Sequence, residues 1–320
     1  MGLFDRIYYG KAGKRDYSEM DMPKNRISLF FLVLKDRFFD LMKINLLQVV
    51  FWIPFIIWSY MNLNVLQAMD TEAMLAQENG VQLVSSALSG YLVIWLIGLV
   101  PCILITGPSS AGAAYVMRNW ARDQHAFLFS DYKDAFKSNW KQALPTSLIT
   151  SLIPVLAYTA VAFYSEMAAS NLAMIVPMVV VLSATLMWTL MLPLIYPMII
   201  GYQLKLTAIF KNAFLMAAAK LPRLVLARVI TFIPIAILLM GLYIGNIVMM
   251  IGVIFYYLLF GFAFSRLVYA SVANGVFDKY LNPYIEGAQT GMGLRPHMDE
   301  DDIPYDDEED EEEEEDDEEI

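Results

Sequence analysis

Residues 43–61 read Lys-Ile-Asn-Leu-Leu-Gln-Val-Val-Phe-Trp-Ile-Pro-Phe-Ile-Ile-Trp-Ser-Tyr-Met. One lysine closes a basic, polar segment, and no charge follows it in this run. An uncharged stretch of this length matches a hydrocarbon core of roughly 30 Å at about 1.5 Å rise per residue. It predicts a transmembrane helix entering lipid from a cationic flank.

Working outward, five more such stretches follow. With the first, the predicted spans are Ile44–Met61, Leu88–Thr106, Leu144–Tyr164, Leu172–Ile200, Leu224–Tyr243 and Ile247–Leu267. The fourth carries Pro177, Pro193 and Pro197, and proline removes a ladder donor and bends a helix. All 22 lysines and arginines fall in four patches: nine within 1–43, five within 118–141, five within 205–228 and three from Arg266 onward. The intervening loops at 62–87, 165–171 and 244–246 hold none. Cationic flanks stay on the cytoplasmic side. The expected fold is therefore all-α and polytopic, with six transmembrane helices, cytoplasmic amphipathic helices and both termini inside.

Composition agrees. The chain is 58% hydrophobic, above the 45–50% typical of soluble domains. The net charge of −11 conceals two opposed parts. From Asp299 to Ile320, 18 of 22 residues are acidic, and the remainder carries 15 acids against 22 bases. Three regions are expected: 1–43, a cytoplasmic segment with an amphipathic helix; 44–275, the membrane domain; and 276–320, a cytoplasmic tail, acidic and disordered from 299. A self-repelling polyanion has little to bury. It reads as a solubilising terminus or as a ligand for basic groups. The N-terminal residues do not form a cleavable signal peptide, and Arg6 stands where a myristoylation signal needs Ser or Thr.

A weak repeat is visible. The odd-numbered spans contain Ile53-Pro54, Ile153-Pro154 and Ile233-Pro234, each after a basic, aromatic segment. Three helical hairpins or coincidence in a proline-tolerant membrane chain both account for it.

The segment 107–143 is expected to be an inner, polar-facing loop. Gly107, Pro108, Ser109 and Gly112 are expected to break the second span and cap the next helix. Gly112 comes one residue too late for a Gly-x-Ser-x-Gly nucleophile elbow, and no lysine completes a phosphate loop. Further on, Tyr132, Phe136 and Trp140 recur at i, i+4 and i+8, with Lys133, Lys137 and Lys141 one residue behind. Three readings stand: a helix lying flat at lipid headgroups, an aromatic row packed on neighbouring spans, or a docking helix for a partner.

Signs of chemistry are few. No Asp, Glu or His falls within a predicted span core, so a proton-coupled pump lacks its titrating group. Arg228 and Arg266 are expected to snorkel to the inner surface. Asn45, Gln48, Ser183, Thr185, Thr189 and Thr231 are expected to join helices more than to bind substrate. Cys102 cannot form an internal disulfide, and His125 and His297 have no ligand partners at metal spacing. Asp131 and Asp134 read as first-turn helix charges. No enzyme, cofactor, metal centre or nucleic-acid partner is expected.

The run from Gly107 to Leu144, with Lys43-Ile44-Asn45-Leu46-Leu47 and Ile53-Pro54 in the first span, resembles the YesL-like bacterial membrane proteins (domain of unknown function 624). The resemblance covers most of 27–275. The acidic tail and the long first outer loop depart from it. It implies a Gram-positive setting, genes beside sugar-uptake ABC transporters and polysaccharide degradation, and no catalytic residue set. The expected function is a non-catalytic accessory of carbohydrate uptake, in contact with membrane lipids and a sugar ABC permease. A stand-alone carrier of a neutral solute and a membrane scaffold are the alternatives.

Overall fold

A computed structural model describes residues 22–296. Met1-Gly2, Arg6, His297 and the acidic run from Asp299 lie outside the described residues. Among the described residues the chain is helical, without strands. Six helical stretches are long and apolar enough to cross a membrane, at Phe38–Gln67, Gly80–Leu104, Leu128–Ala168, Leu172–Gly201, Leu221–Ile244 and Ile247–Tyr280. Each contains or overlaps one predicted span, and the protein is an integral, multi-pass membrane protein.

The elements in order are α1 (Arg26–Asp36), α2 (Phe38–Gln67), α3 (Thr71–Leu75), α4 (Gly80–Leu104), α5 (Thr106–Trp120), α6 (Leu128–Ala168), α7 (Ile175–Gly201), α8 (Leu206–Ala219), α9 (Leu221–Ile244), α10 (Ile247–Tyr256) and α11 (Phe262–Tyr280). A π-helical segment, Tyr257–Gly261, joins α10 to α11. Asn25 caps α1 by accepting from Ser28 N–H at 2.9 Å. α2 runs past the predicted Met61 to Gln67, and α3 fills part of the segment 62–87, which leaves a shorter loop than expected.

Consecutive spans pack as antiparallel pairs, α2 with α4, α6 with α7, and α9 with α10. Each pair has its own fastening. Gly98 of α4 lies against the Trp58 indole, whose Nε1 donates to the Trp95 carbonyl at 3.0 Å. Trp188 Nε1 donates to Thr150 Oγ1 at 3.1 Å across α6 and α7. Gly245 turns the α9–α10 corner at φ +69°, where a side chain would be strained, and Asn246 caps α10. α7 continues as one helix through Pro193 and Pro197. Proline is tolerated inside a membrane helix, where neighbouring helices can satisfy the freed carbonyls.

α5 is the centre. Twelve of its fifteen residues are buried, against three of the twenty-five in α4. It packs on α2, α4, α6, α7 and α11. Outer faces of the spans are apolar and exposed, among them Ile56, Leu156, Val180 and Leu239. That exposure is what a lipid-facing surface requires, since lipid tails solvate such side chains.

Candidate functional site: a polar seam around α5

The stretch expected as an inner loop is thus the most buried helix among the described residues. Gly107, Ser109, Ser110, Ala111, Gly112, Ala113 and Ala114 leave little side-chain bulk, so neighbouring backbones approach closely. A Cβ at Gly107 would collide with Ser147 and the Ala143 carbonyl. One at Gly112 would lie 2.8 Å from the Tyr132 carbonyl. The helix break falls at Ile105, ahead of these residues, and α5 begins at Thr106 without a side-chain cap. Pro108 sits in the first turn, where no intrahelical donor is lost. Ser109 therefore does not cap: it is buried inside α5 and bonds sideways.

Gln48 of α2 donates through Nε2 to Ser109 Oγ at 2.8 Å, to the Ser109 carbonyl at 3.2 Å and to Tyr132 Oη at 3.3 Å. Ser109 Oγ and Tyr132 Oη share a further bond of 2.8 Å. Three helices meet in this one polar knot. Asn45, one turn earlier on α2, reaches the π segment. Its Nδ2 donates to the carbonyls of Tyr257 and Leu258 at 2.9 and 2.8 Å, and its Oδ1 accepts from Phe262 N–H and Ala263 N–H at 2.9 and 3.1 Å.

The seam continues on the far side of α5. Arg266 of α11 donates to Ser110 Oγ at 2.5 Å and lies 5.3 Å from the centre of the Tyr196 ring. Arg228 of α9 donates through Nε to the Thr189 carbonyl at 2.8 Å and through Nη1 to Tyr269 Oη at 2.9 Å. Thr231 and Tyr269 share a bond of 2.6 Å. Neither arginine snorkels as expected. Both turn inward, because hydroxyls, a carbonyl and ring faces on adjacent helices offer nearer acceptors than the surface. Of the other polar span residues, Ser183 is exposed and Thr185 lines the groove between α6 and α7.

The aromatic and lysine rows divide. Tyr132 is buried in the knot, and Phe136 packs on Phe51 with ring centres 5.7 Å apart. Trp140 is 47% exposed, and Lys133, Lys137 and Lys141 are exposed. The reading of a separate helix lying flat is corrected on geometry. This segment and the third span form one 41-residue helix, α6, about 60 Å long at 1.5 Å per residue and roughly twice the hydrocarbon thickness. Asp131 accepts from Phe127 N–H at 2.8 Å, fastening the start of that helix.

At the basic end of the bundle, Arg26 pairs with Asp278 and donates to the carbonyls of Ala121 and Met292 at 3.2 and 2.9 Å. Arg118 lies 5.1 Å from the centre of the Tyr202 ring. Burial, reinforced by Arg118, pushes the Arg122 guanidinium below its ordinary value. Burial raises the Tyr202 phenol, opposed by Arg118. Tyr202 Oη donates to Asn282 Oδ1 at 2.5 Å. Cys102 is buried and donates to the Gly98 carbonyl at 3.3 Å. Among the described residues no group of three His, Cys, Asp or Glu could hold a metal ion.

Residues 41–161, from α2 through most of α6, match the model of the family described as a protein of unknown function, DUF624. The match spans fewer than half of the 320 residues. No curated protein and no solved structure matches the chain. The match is narrower than the expected 27–275, though the Gly107–Leu144 run lies wholly within it. The matched segment contains the Gln48–Ser109–Tyr132 knot and all of α5. Arg228, Arg266 and their tyrosines lie beyond it. Sequence reading singled out Ser109 and Tyr132 but not their contact, and it missed Tyr196 and Tyr269. The available signal was the density of small residues in α5, which marks a packed helix more than a loop.

Proposed function

We propose that this protein is a non-catalytic component of the bacterial cytoplasmic membrane, with both termini inside, that assists carbohydrate uptake by contacting a sugar ABC permease and membrane lipids. The observation that supports this most is α6. Its basic half carries exposed Lys133, Lys137, Lys141 and Trp140 beyond what the hydrocarbon needs, on a helix anchored to α5 by Tyr132 and to α2 by Phe136. A rigid, cationic, aromatic projection suits a partner surface or anionic headgroups. The resemblance to YesL-like proteins supplies the link to sugar uptake.

A carrier of a neutral solute has less support. The groove between α6 and α7, about 640 Å³, is lined mainly by apolar groups such as Leu156, Ala160, Phe163, Ala184 and Trp188. Sugars need converging hydrogen-bond partners. An enzyme lacks support for the same kind of reason, since the hydroxyls of Ser109, Ser110 and Tyr132 bond to one another, to an amide or to a guanidinium and none meets a base. Co-purification of the tagged full chain in mild detergent tests the proposal. Recovery of a sugar permease subunit is expected, and isolation of the chain without one would overturn it.

A further inference from the structure

Arg228 and Arg266 are an unbalanced pair. Among the described residues neither meets a carboxylate. The ionisable groups around Arg266 are Tyr196, Tyr269, Tyr132 and Arg228, and the one beside Arg228 is Tyr269. Neutral phenols can share a proton or present a ring face, but they cannot cancel two positive charges. A cation within a membrane domain is costly unless it is compensated, and two that repel each other are costlier.

The hydrogen bonds leave capacity. Of the five N–H donors on a guanidinium, Arg228 directs its bonds to the Thr189 carbonyl and Tyr269 Oη. Arg266 has Ser110 Oγ as its acceptor among the described residues. Both side chains are half-buried, and both lie toward the end of the bundle that carries the cations. Arg228 stands seven residues into α9, about 10 Å along the axis at 1.5 Å per residue. A phosphate entering from that cation-bearing end is a group that would offset the two charges. A planar guanidinium fork matches the paired oxygens of an oxyanion, and the flanking Ser110, Thr231 and Tyr269 hydroxyls add neutral donors.

We infer that Arg228 and Arg266 together bind a phosphate group in the membrane domain, between α7, α9 and α11, carried either by an anionic phospholipid or by a soluble phosphate. This site stands apart from the α6 surface on which the uptake reading rests, so either can fail alone.

The test uses the full chain in neutral detergent. Native mass spectrometry of protein extracted from phosphatidylglycerol-containing membranes reports retained lipid. Thermal melting of delipidated protein with added inorganic phosphate reports the soluble form. Lipid retention at one per chain that phosphate does not displace identifies the headgroup. A phosphate-dependent rise in melting midpoint without lipid identifies the soluble ligand. Arg228→Gln and Arg266→Gln should abolish whichever response is seen, while Lys211→Gln leaves it intact. Should the glutamine variants not fold, Arg266→Lys keeps the charge without the fork and should weaken binding about tenfold or more, as loss of one charge-assisted hydrogen bond requires. No retained lipid and no phosphate response in folded wild type would overturn the inference. So would an undiminished response in folded Arg228→Gln, Arg266→Gln or Arg266→Lys.

Discussion

Asn45 carries more structure than any other polar side chain of the first span. It sits between two carbonyls and two N–H groups at the π segment, where the helical ladder is loosened. Asn45→Ala leaves these groups without that partner in a dry core. The expected cost is about 1–3 kcal/mol, read as a lowered thermal midpoint in detergent; an unchanged midpoint would show that the amide contributes nothing. Gly112→Ala places a methyl against the Tyr132 backbone. Overpacking of this kind costs about 1–3 kcal/mol, whereas the same change at Gly90, with open space around it, should be near neutral or stabilising. Comparing the two midpoints checks the point. The chemistry of these residues was readable in the sequence, since an Asn or Gln in a span must find a partner. Which partner was not readable: Asn45 bonds residues more than 200 positions away, and no periodicity encodes that distance.

α5 and α6 show where hydropathy succeeds and where it misleads. The apolar half of α6 was plain as the third span because bulky side chains dominate it. α5 read as a loop because glycine, serine and alanine score weakly on hydropathy, although small residues are what allow a helix to be enclosed on all sides. The rows on α6 were correctly periodic. Periodicity alone could not divide them, because burial of Tyr132 depends on Gln48 and Ser109 arriving from other helices. Tyr132→Phe removes the hydroxyl from the knot and should cost about 1–2 kcal/mol, measurable by chemical or thermal unfolding in micelles. Replacing Lys133, Lys137 and Lys141 together by Ser touches only exposed groups. It should leave the midpoint nearly unchanged and lower the anionic phospholipid retained per chain; equal retention would remove the lipid part of the proposed role.

For the molecule as a whole, the distribution of cations makes a prediction about sides. Cys102 is the single cysteine and is buried, so Cys102→Ala provides a clean background. In it, Gln77→Cys lies between α3 and α4, and Lys137→Cys lies on the basic half of α6. A membrane-impermeant maleimide should label the first in intact cells and the second only after lysis. Labelling of both under one condition would refute the proposed orientation. The number of spans, their helical nature and their approximate ends were determined by the sequence alone, because lipid demands long uncharged runs whose backbone bonds close within each segment. The tertiary structure alone decided that α5 is the core, that Arg228 and Arg266 point inward, and that α6 is one helix. Those outcomes depend on which small residues and hydroxyls meet across different spans, and lipid, being as apolar as leucine, does not dictate such meetings.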